Sequence, residues 1–245
     1  ELVKLQHDLD IARRIQAATF PEIFPELPGW EIHGWSMPAD ATGGDAFDAV
    51  EVTGGAMLVV GDATGHGIGP AISVTQVRSM LRMGVRLDAP LLDLVRELNH
   101  QLWQDTSSMQ FVTAFFGRVN AATGEIETVS AGHGPNLLVR ADGTIEELEA
   151  DVPPLGVLED LPLDEPRMIT LNPGDMLAVP TDGIFEAMDE AGVMYGTEPM
   201  LDLLRAPGDR SLAETLEVLR VDTERFRNDG PPQDDRTILA IRRSI

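Results

Sequence analysis

The chain has 245 residues, 43% of them hydrophobic, enough for one large domain or two small ones with a sizeable buried core. Its 41 acidic against 18 basic side chains give a formal charge of -23, which repels nucleic-acid phosphates and anionic membrane surfaces and excludes a nucleic-acid partner. With no cysteine, disulfides, thiolate zinc sites and cysteine-nucleophile chemistry are excluded together.

Apolar runs such as 56–60 and 176–179 are far too short to span a bilayer, and the N-terminus has no basic region followed by an apolar stretch. The chain therefore reads as cytoplasmic, without membrane contact. It starts at Glu1 in what reads as the middle of a helix, which points to a longer polypeptide or a processed N-terminus. Leu2, Leu5, Leu9 and Ala12 recur at three- and four-residue spacing beside Ile11, Ile15 and Ala18, predicting an amphipathic helix ended by Phe20-Pro21. Such a helix needs a surface to cover, either its own domain or the same helix of a second copy.

After a Pro-rich link, strand-like runs at 31–35, 47–52 and 56–60 are separated by Gly and Asp turns. Apolar residues then keep one helical face over 70–87 and again over 91–102, predicting an antiparallel helix pair. Runs at 111–120, 125–131, 136–140 and 144–148 read as consecutive strands of an antiparallel meander, with turns at Thr123-Gly124 and Asp142-Gly143. Segments 167–171 and 175–179 read as a further hairpin around Asn172-Pro173-Gly174-Asp175. Ser211 and Glu214 have capping-box spacing ahead of a helix that reaches Phe226, and a final strand covers 237–241. The pattern predicts an α+β fold of two sheets covered by helices, with residues 1–20 as a linker helix and 21–245 as one domain.

Asp and Gly concentrate at predicted strand ends in four segments: Gly43-Gly44-Asp45, Gly61-Asp62-Ala63-Thr64-Gly65-His66-Gly67, Thr181-Asp182-Gly183 and Asp234-Asp235-Arg236-Thr237. A strand end holds a short carboxylate with little freedom, and flanking Gly lets backbone and ligand approach closely. Several such rims converging would suit a hard divalent cation, which prefers oxygen ligands. Each segment alone reads more readily as a β-turn or helix cap.

The ordered series, with Pro38-Ala39, Ala131-Gly132-His133 and Pro154-Leu155-Gly156 between its members, resembles the SpoIIE/RsbU branch of the PPM family of metal-dependent protein serine/threonine phosphatases. The resemblance spans nearly all of the chain. It implies an αββα sandwich of two mainly antiparallel sheets flanked by helices, with two Mg²⁺ or Mn²⁺ ions at one end. Carried over by position, Asp62 would bridge the metals, the Ala63 carbonyl would add a ligand, and Asp45 and Asp182 would reach the ions from opposite sheets. Asp234 would complete the set, with its neighbour Asp235 as the competing candidate. Asp48 matches a further family acid, and it would either orient water or touch metal.

The implied reaction is attack of metal-activated water on phosphoserine or phosphothreonine of a regulatory protein of the anti-sigma-factor antagonist type. His66 is the candidate proton donor, with His133 behind it. The resemblance also implies an upstream sensor or receiver domain acting through the N-terminal helix, which would itself serve for pairing in a homodimer. The chain departs from the family at Ala46, where an aromatic is usual, and at Arg236, where an apolar residue is usual. No basic residue lies near the first two motifs in sequence, leaving phosphate to the metals and the helix starting near Pro70.

Two other readings compete. Gly65-His66-Gly67-Ile68-Gly69 after a strand resembles a dinucleotide-binding turn, but the glycine spacing is wrong and antiparallel runs follow where a βαβ unit should. A catalytically silent phosphoprotein-binding module of the same fold is the other, and retention of every expected acid speaks against it.

Overall fold

The computed structural model describes residues 2–65, 67–105, 110–206, 208–228, 230 and 232–244, with side chains described from His7 onward. The helices are α1 (Leu2–Ala17), α2 (Ile68–Arg86), α3 (Leu91–Asp105), α4 (Asp182–Phe185), α5 (Thr197–Arg205) and α6 (Leu212–Arg227). The strands are β1 (Trp30–Met37), β2 (Asp45–Val52), β3 (Gly55–Ala63), β4 (Val112–Asn120), β5 (Glu125–Ala131), β6 (Asn136–Val139), β7 (Ile145–Leu148), β8 (Arg167–Thr170), β9 (Met176–Pro180) and β10 (Arg236–Arg243). One sheet has the order β1-β10-β9-β6-β7 and the other β2-β3-β4-β5-β8, and every strand pair in both is antiparallel.

Alternation along the strands sorts the side chains into three apolar layers. Phe47, Leu58, Val60, Phe115, Leu239 and Ile241 fill the space between the sheets. Residues one step out of phase, such as Met57, Val59 and Phe116, turn outward onto α2 and α3 through Val74, Leu81, Leu98 and Leu102. On the other side, Ile238 and Ala240 meet Met200, Leu204, Leu212, Leu216 and Leu219 of α5 and α6. The result is the αββα sandwich expected from the sequence. Because β3 is covered on both faces, it reads as a nearly unbroken apolar run.

Local signals were obeyed while some pairings were not. The Ser211–Glu214 capping box forms, and α2 and α3 pack antiparallel, with Gln76 donating to Asp105 at 2.6 Å. The predicted meander is split: β4 and β5 pair in one sheet, whereas β6 and β7 pair in the other. The predicted hairpin of 167–171 with 175–179 is also corrected, because β8 pairs with β5 and β9 with β6 and β10. The turn is still there, with Asp175 N–H donating to the Asn172 carbonyl at 2.9 Å. Its carboxylate, however, accepts from the Ala141 N–H and Arg140 just after β6, which holds the chain to the sheet of β6 and β9 instead of letting it fold back on β8. The sequence reading also missed the short helices α4 and α5.

The N-terminal helix meets the domain at its end. Phe20 stacks on Phe47 with ring centroids 5.5 Å apart, while Ile15 higher up remains 63% exposed. No helix among the described residues is long and apolar enough to cross a membrane.

Truncation of the inter-sheet layer should be costly. Phe115→Ala is expected to lower unfolding free energy by about 4 kcal/mol in urea titrations, whereas Met168→Ala, at a side chain 55% exposed, should change it by less than about 0.5 kcal/mol.

Candidate active site

Asp45 opens β2 and Asp62 lies near the end of β3, and the two are direct partners in the antiparallel register. Both follow the phase of the residues that face the other sheet, so the two carboxylates share one face at one rim. At the same end of the facing sheet, Thr181-Asp182 leaves β9 and Asp234-Asp235 leads into β10. The Thr181 N–H donates to the Thr237 carbonyl at 2.8 Å, so these two segments stay side by side beyond the ladder.

Two contacts tie the rims together across the sandwich. Thr181 Oγ1 donates to Asp45 Oδ2 at 2.8 Å and itself accepts from the Thr237 N–H at 2.9 Å. Asp235 accepts from the Ala39 N–H through Oδ1 at 2.7 Å, and from the Gly44 and Asp45 N–H groups through Oδ2. Glycine makes this approach feasible: a Cβ on Gly183 would collide with the Asp235 carbonyl, and one on Gly44 would stand 2.8 Å from the Ala63 carbonyl oxygen.

The adjacent acids thus differ. Asp235 is buried with both oxygens engaged by backbone donors, whereas Asp234 is exposed, one oxygen accepting from the Asp235 N–H at 2.8 Å. Ala63 is buried, its N–H donating to the Gly44 carbonyl at 3.0 Å.

The carboxylates feel one another. Burial, reinforced by the charges of Asp182, Asp234 and Asp235, pushes Asp62 up to about 7. Asp45 is raised well above the usual range by burial and then by Asp62 and Asp235, and Asp182 is raised by burial and Asp234. Asp235 is raised too, because burial outweighs its three backbone hydrogen bonds. Such a group, all hard oxygen donors and no thiolate, has the chemistry of a Mg²⁺ or Mn²⁺ site. Among the described residues no three acidic or imidazole groups converge into a finished cage. The fit therefore lies in donor type and shared charge.

The two histidines fare differently. His66 lies outside the described residues. His133 is 3% exposed, with Nε2 3.2 Å from the Pro180 carbonyl oxygen and Nδ1 3.2 Å from Thr113 Oγ1. A carbonyl can only accept, so Nε2 carries the hydrogen and Nδ1 accepts from the threonine. Burial pushes its pKa down to about 4. A neutral imidazole bridging the two sheets is no general acid near pH 7, which corrects His133 as a proton donor.

Asp48 is likewise corrected. It is fully buried and faces α2, where Arg78 reaches it at 3.0 Å and Arg82 donates to it at 2.9 Å. Basic residues do lie beside the first motif, brought there by a helix some thirty residues on. The sequence also gave no hint of Gln16, whose side chain exchanges two hydrogen bonds with the Gly43 backbone, at 2.6 and 3.0 Å. Thr181, visible in sequence only as part of Thr-Asp-Gly, is the residue that reaches Asp45 from the other sheet.

The family model described as Stage II sporulation protein E (SpoIIE) matches residues 53–244, a span that holds Asp62, Asp182, Asp234 and Asp235 and begins after Asp45. Phosphoserine phosphatase RsbP of Bacillus subtilis (strain 168) is 24% identical over 243 residues, covering 96% of this chain and 58% of RsbP. The chain spans about half the length of the curated relatives it matches. The SiaA-PP2C domain of Pseudomonas aeruginosa has the same fold, with a TM-score of 0.83 at 23% identity over 98% of both chains. RsbX in complex with magnesium shares it at a TM-score of 0.67 and 13% identity, over 89% of this chain and 98% of RsbX.

The His133 bridge makes an acid-stability prediction. Its imidazole takes a proton near 6.5 when unfolded and near 4 when folded, so its contribution is complete above 6.5 and lost as pH falls toward 4. The loss amounts to about 3 kcal/mol. Urea titrations between pH 7 and 4.5 should show a flatter pH dependence in His133→Asn than in the parent; equal slopes would contradict the buried neutral imidazole.

Proposed function

The chain belongs to the SpoIIE family, the SpoIIE/RsbU branch of the PPM-type phosphatases, and from that premise we propose that it hydrolyses phosphoserine or phosphothreonine on a regulatory protein with the help of bound Mg²⁺ or Mn²⁺. The observation that carries this reading is the facing set of Asp45, Asp62 and Asp182, each with its pKa raised by burial and neighbouring carboxylates. Without a cation such a set resists full ionisation near neutral pH.

In this assignment Asp62 would be the central ligand, and Asp45, Asp182, Asp234 and the Ala63 carbonyl would complete the oxygen set that holds the cations. Asp235 is given a positioning role, because its oxygens already hold the backbone of 39, 44 and 45. Thr181 fixes one oxygen of Asp45. When bound, the cations supply the charge that activates water and takes up negative charge on the phosphoryl group. With no cysteine in the chain, a thiolate intermediate is not available. His66, beside Asp62 in sequence, is retained as the proton donor to the leaving oxygen.

The substrate class we assign is a phosphorylated protein of the anti-sigma-factor antagonist type, which puts the reaction in the cytoplasm. RsbP, a phosphoserine phosphatase, supports this reading. So does the likeness to the RsbU and RsbW domains of Rv1364c from Mycobacterium tuberculosis. A sensor or receiver domain upstream would act through α1, either singly or as a homodimer through that helix. Gln16 gives the route: its two hydrogen bonds end on Gly43, two residues from Asp45.

Two experiments test this. Asp62 ionises near 3.8 in the unfolded chain and near 7 in the folded one, so its contribution to stability is complete below 3.8 and lost as pH rises through 7. Metal-free protein should lose melting temperature from pH 5 to 8, and Asp62→Asn should lose less. Millimolar Mn²⁺ should restore several degrees to the parent alone, and hydrolysis of p-nitrophenyl phosphate should fall by about 100-fold or more in Asp62→Asn. A parent indifferent to Mn²⁺ in both assays would end the metal reading.

The α1 route is tested separately. Gln16→Ala should raise several-fold the Mn²⁺ concentration for half-maximal hydrolysis, whereas Ile11→Ala, on the exposed side of the helix, should leave it unchanged. Equal metal dependence in the two variants would remove the route.

A further inference from the structure

Arg236 is the first residue of β10 and shares a face with Ile238 and Ala240, which pack on α5 and α6. A charged side chain thus stands in an apolar layer, and it is only 3% exposed. Its Nη2 donates to Glu224 of α6 at 2.6 Å, and its Nη1 lies 3.4 Å from Thr223 Oγ1. Arg227, also buried, approaches the same Glu224 at 3.4 Å. It holds Gly230 at both ends, donating through Nη2 to the Gly230 carbonyl and accepting from the Gly230 N–H at 3.0 Å.

Asp234 and Asp235 lie between these two anchors. The β10 ladders stop at Arg236, short of both acids, so no strand pairing fixes them. Glu224 is half-exposed, and the hydrogen bond from Arg236 holds its pKa below the usual carboxylate range, which keeps it charged. An apolar side chain at 236 would suit the layer as well, because a buried ion pair rarely out-stabilises a well-packed apolar replacement. What the guanidinium adds is direction, with two planar donors fixed on one side of α6.

We propose that Arg236 is a positioning residue for the Asp234-Asp235 rim, acting with Arg227 through their shared Glu224. It sets where Asp234 meets the cations and where Asp235 meets the Gly44 N–H. The proposal rests on the phosphatase reading, which it deepens by naming what stands behind two acids of the site.

The test is Mn²⁺ binding to Arg236→Met, followed by titration calorimetry. Acting only through space, loss of a positive charge beside carboxylates would tighten cation binding. Loss of positioning does the opposite, so Kd should rise about tenfold, while the melting temperature stays within about 2 degrees of the parent. In the metal-free chain, hydrogen exchange at the Gly44 amide should quicken several-fold, and that at Ile241, further along β10, should not. A Kd equal to or tighter than the parent's overturns the proposal. Where Arg236→Met fails to fold, Glu224→Gln decides instead. It should weaken binding more than Asp202→Asn, which removes the same charge from an exposed pair on α5, and equal effects overturn the proposal. A parent that binds Mn²⁺ and hydrolyses p-nitrophenyl phosphate, with unshifted binding in the variants, removes the positioning role alone. A parent that binds no Mn²⁺ removes the phosphatase reading and the positioning role with it.

Discussion

Everything at the functional end of this molecule depends on holding like charges together where the rims of two sheets meet. Asp45 and Asp62 come from one sheet, Asp182 and Asp234 from the other, and each raises the cost of ionising its neighbours. The apolar layer between the sheets sets their spacing but gives no direction to the rim. Directional bonds do that. Thr181 reaches from one sheet to Asp45 of the other, and Asp235 grips three backbone N–H groups at the start of β2. Both use groups that a strand end leaves unpaired, so the rim is tied without interrupting either ladder.

This arrangement explains why glycine clusters with the acids. Gly183 lets the Asp182 turn lie against the Asp235 backbone, and Gly44 lets β2 start against the Ala63 carbonyl. A methyl group at either place would push the sheets apart where the carboxylates must face each other. Asp-Gly pairs that look like ordinary turns are here the condition for two rims to meet.

Much of the fold could be read from periodicity, because the buried faces of α2, α3, α6 and most strands are set by spacing alone. What spacing could not reveal was which strands pair. The turn at Asn172 to Asp175 forms in either topology, and the choice is made by Arg140 and Ala141 acting on Asp175 from more than thirty residues away. The same limit applied to the site. Asp234 and Asp235 are the same residue type side by side, and only the backbone donors of 39, 44 and 45 distinguish them. Gln16 occupies what reads as an ordinary polar position of an amphipathic helix, and its role emerges only when Gly43 is brought against it.

Strand β2 shows how one segment sorts acids into structure and chemistry. Asp45 and Asp48 lie three residues apart and so face opposite sides of the sheet. Asp48 turns to α2, where Arg78 and Arg82 supply two positive charges and complete its interactions within the chain. Asp45 turns to the facing sheet, where it meets threonine hydroxyls and other carboxylates and, among the described residues, no cationic side chain. A buried acid answered by arginine is finished when the chain folds, and it has nothing further to bind. A buried acid answered only by a hydroxyl and its own kind still lacks positive charge. That unmet demand, more than the excess of acidic residues across the surface, is what supports the proposal of a cation at this rim.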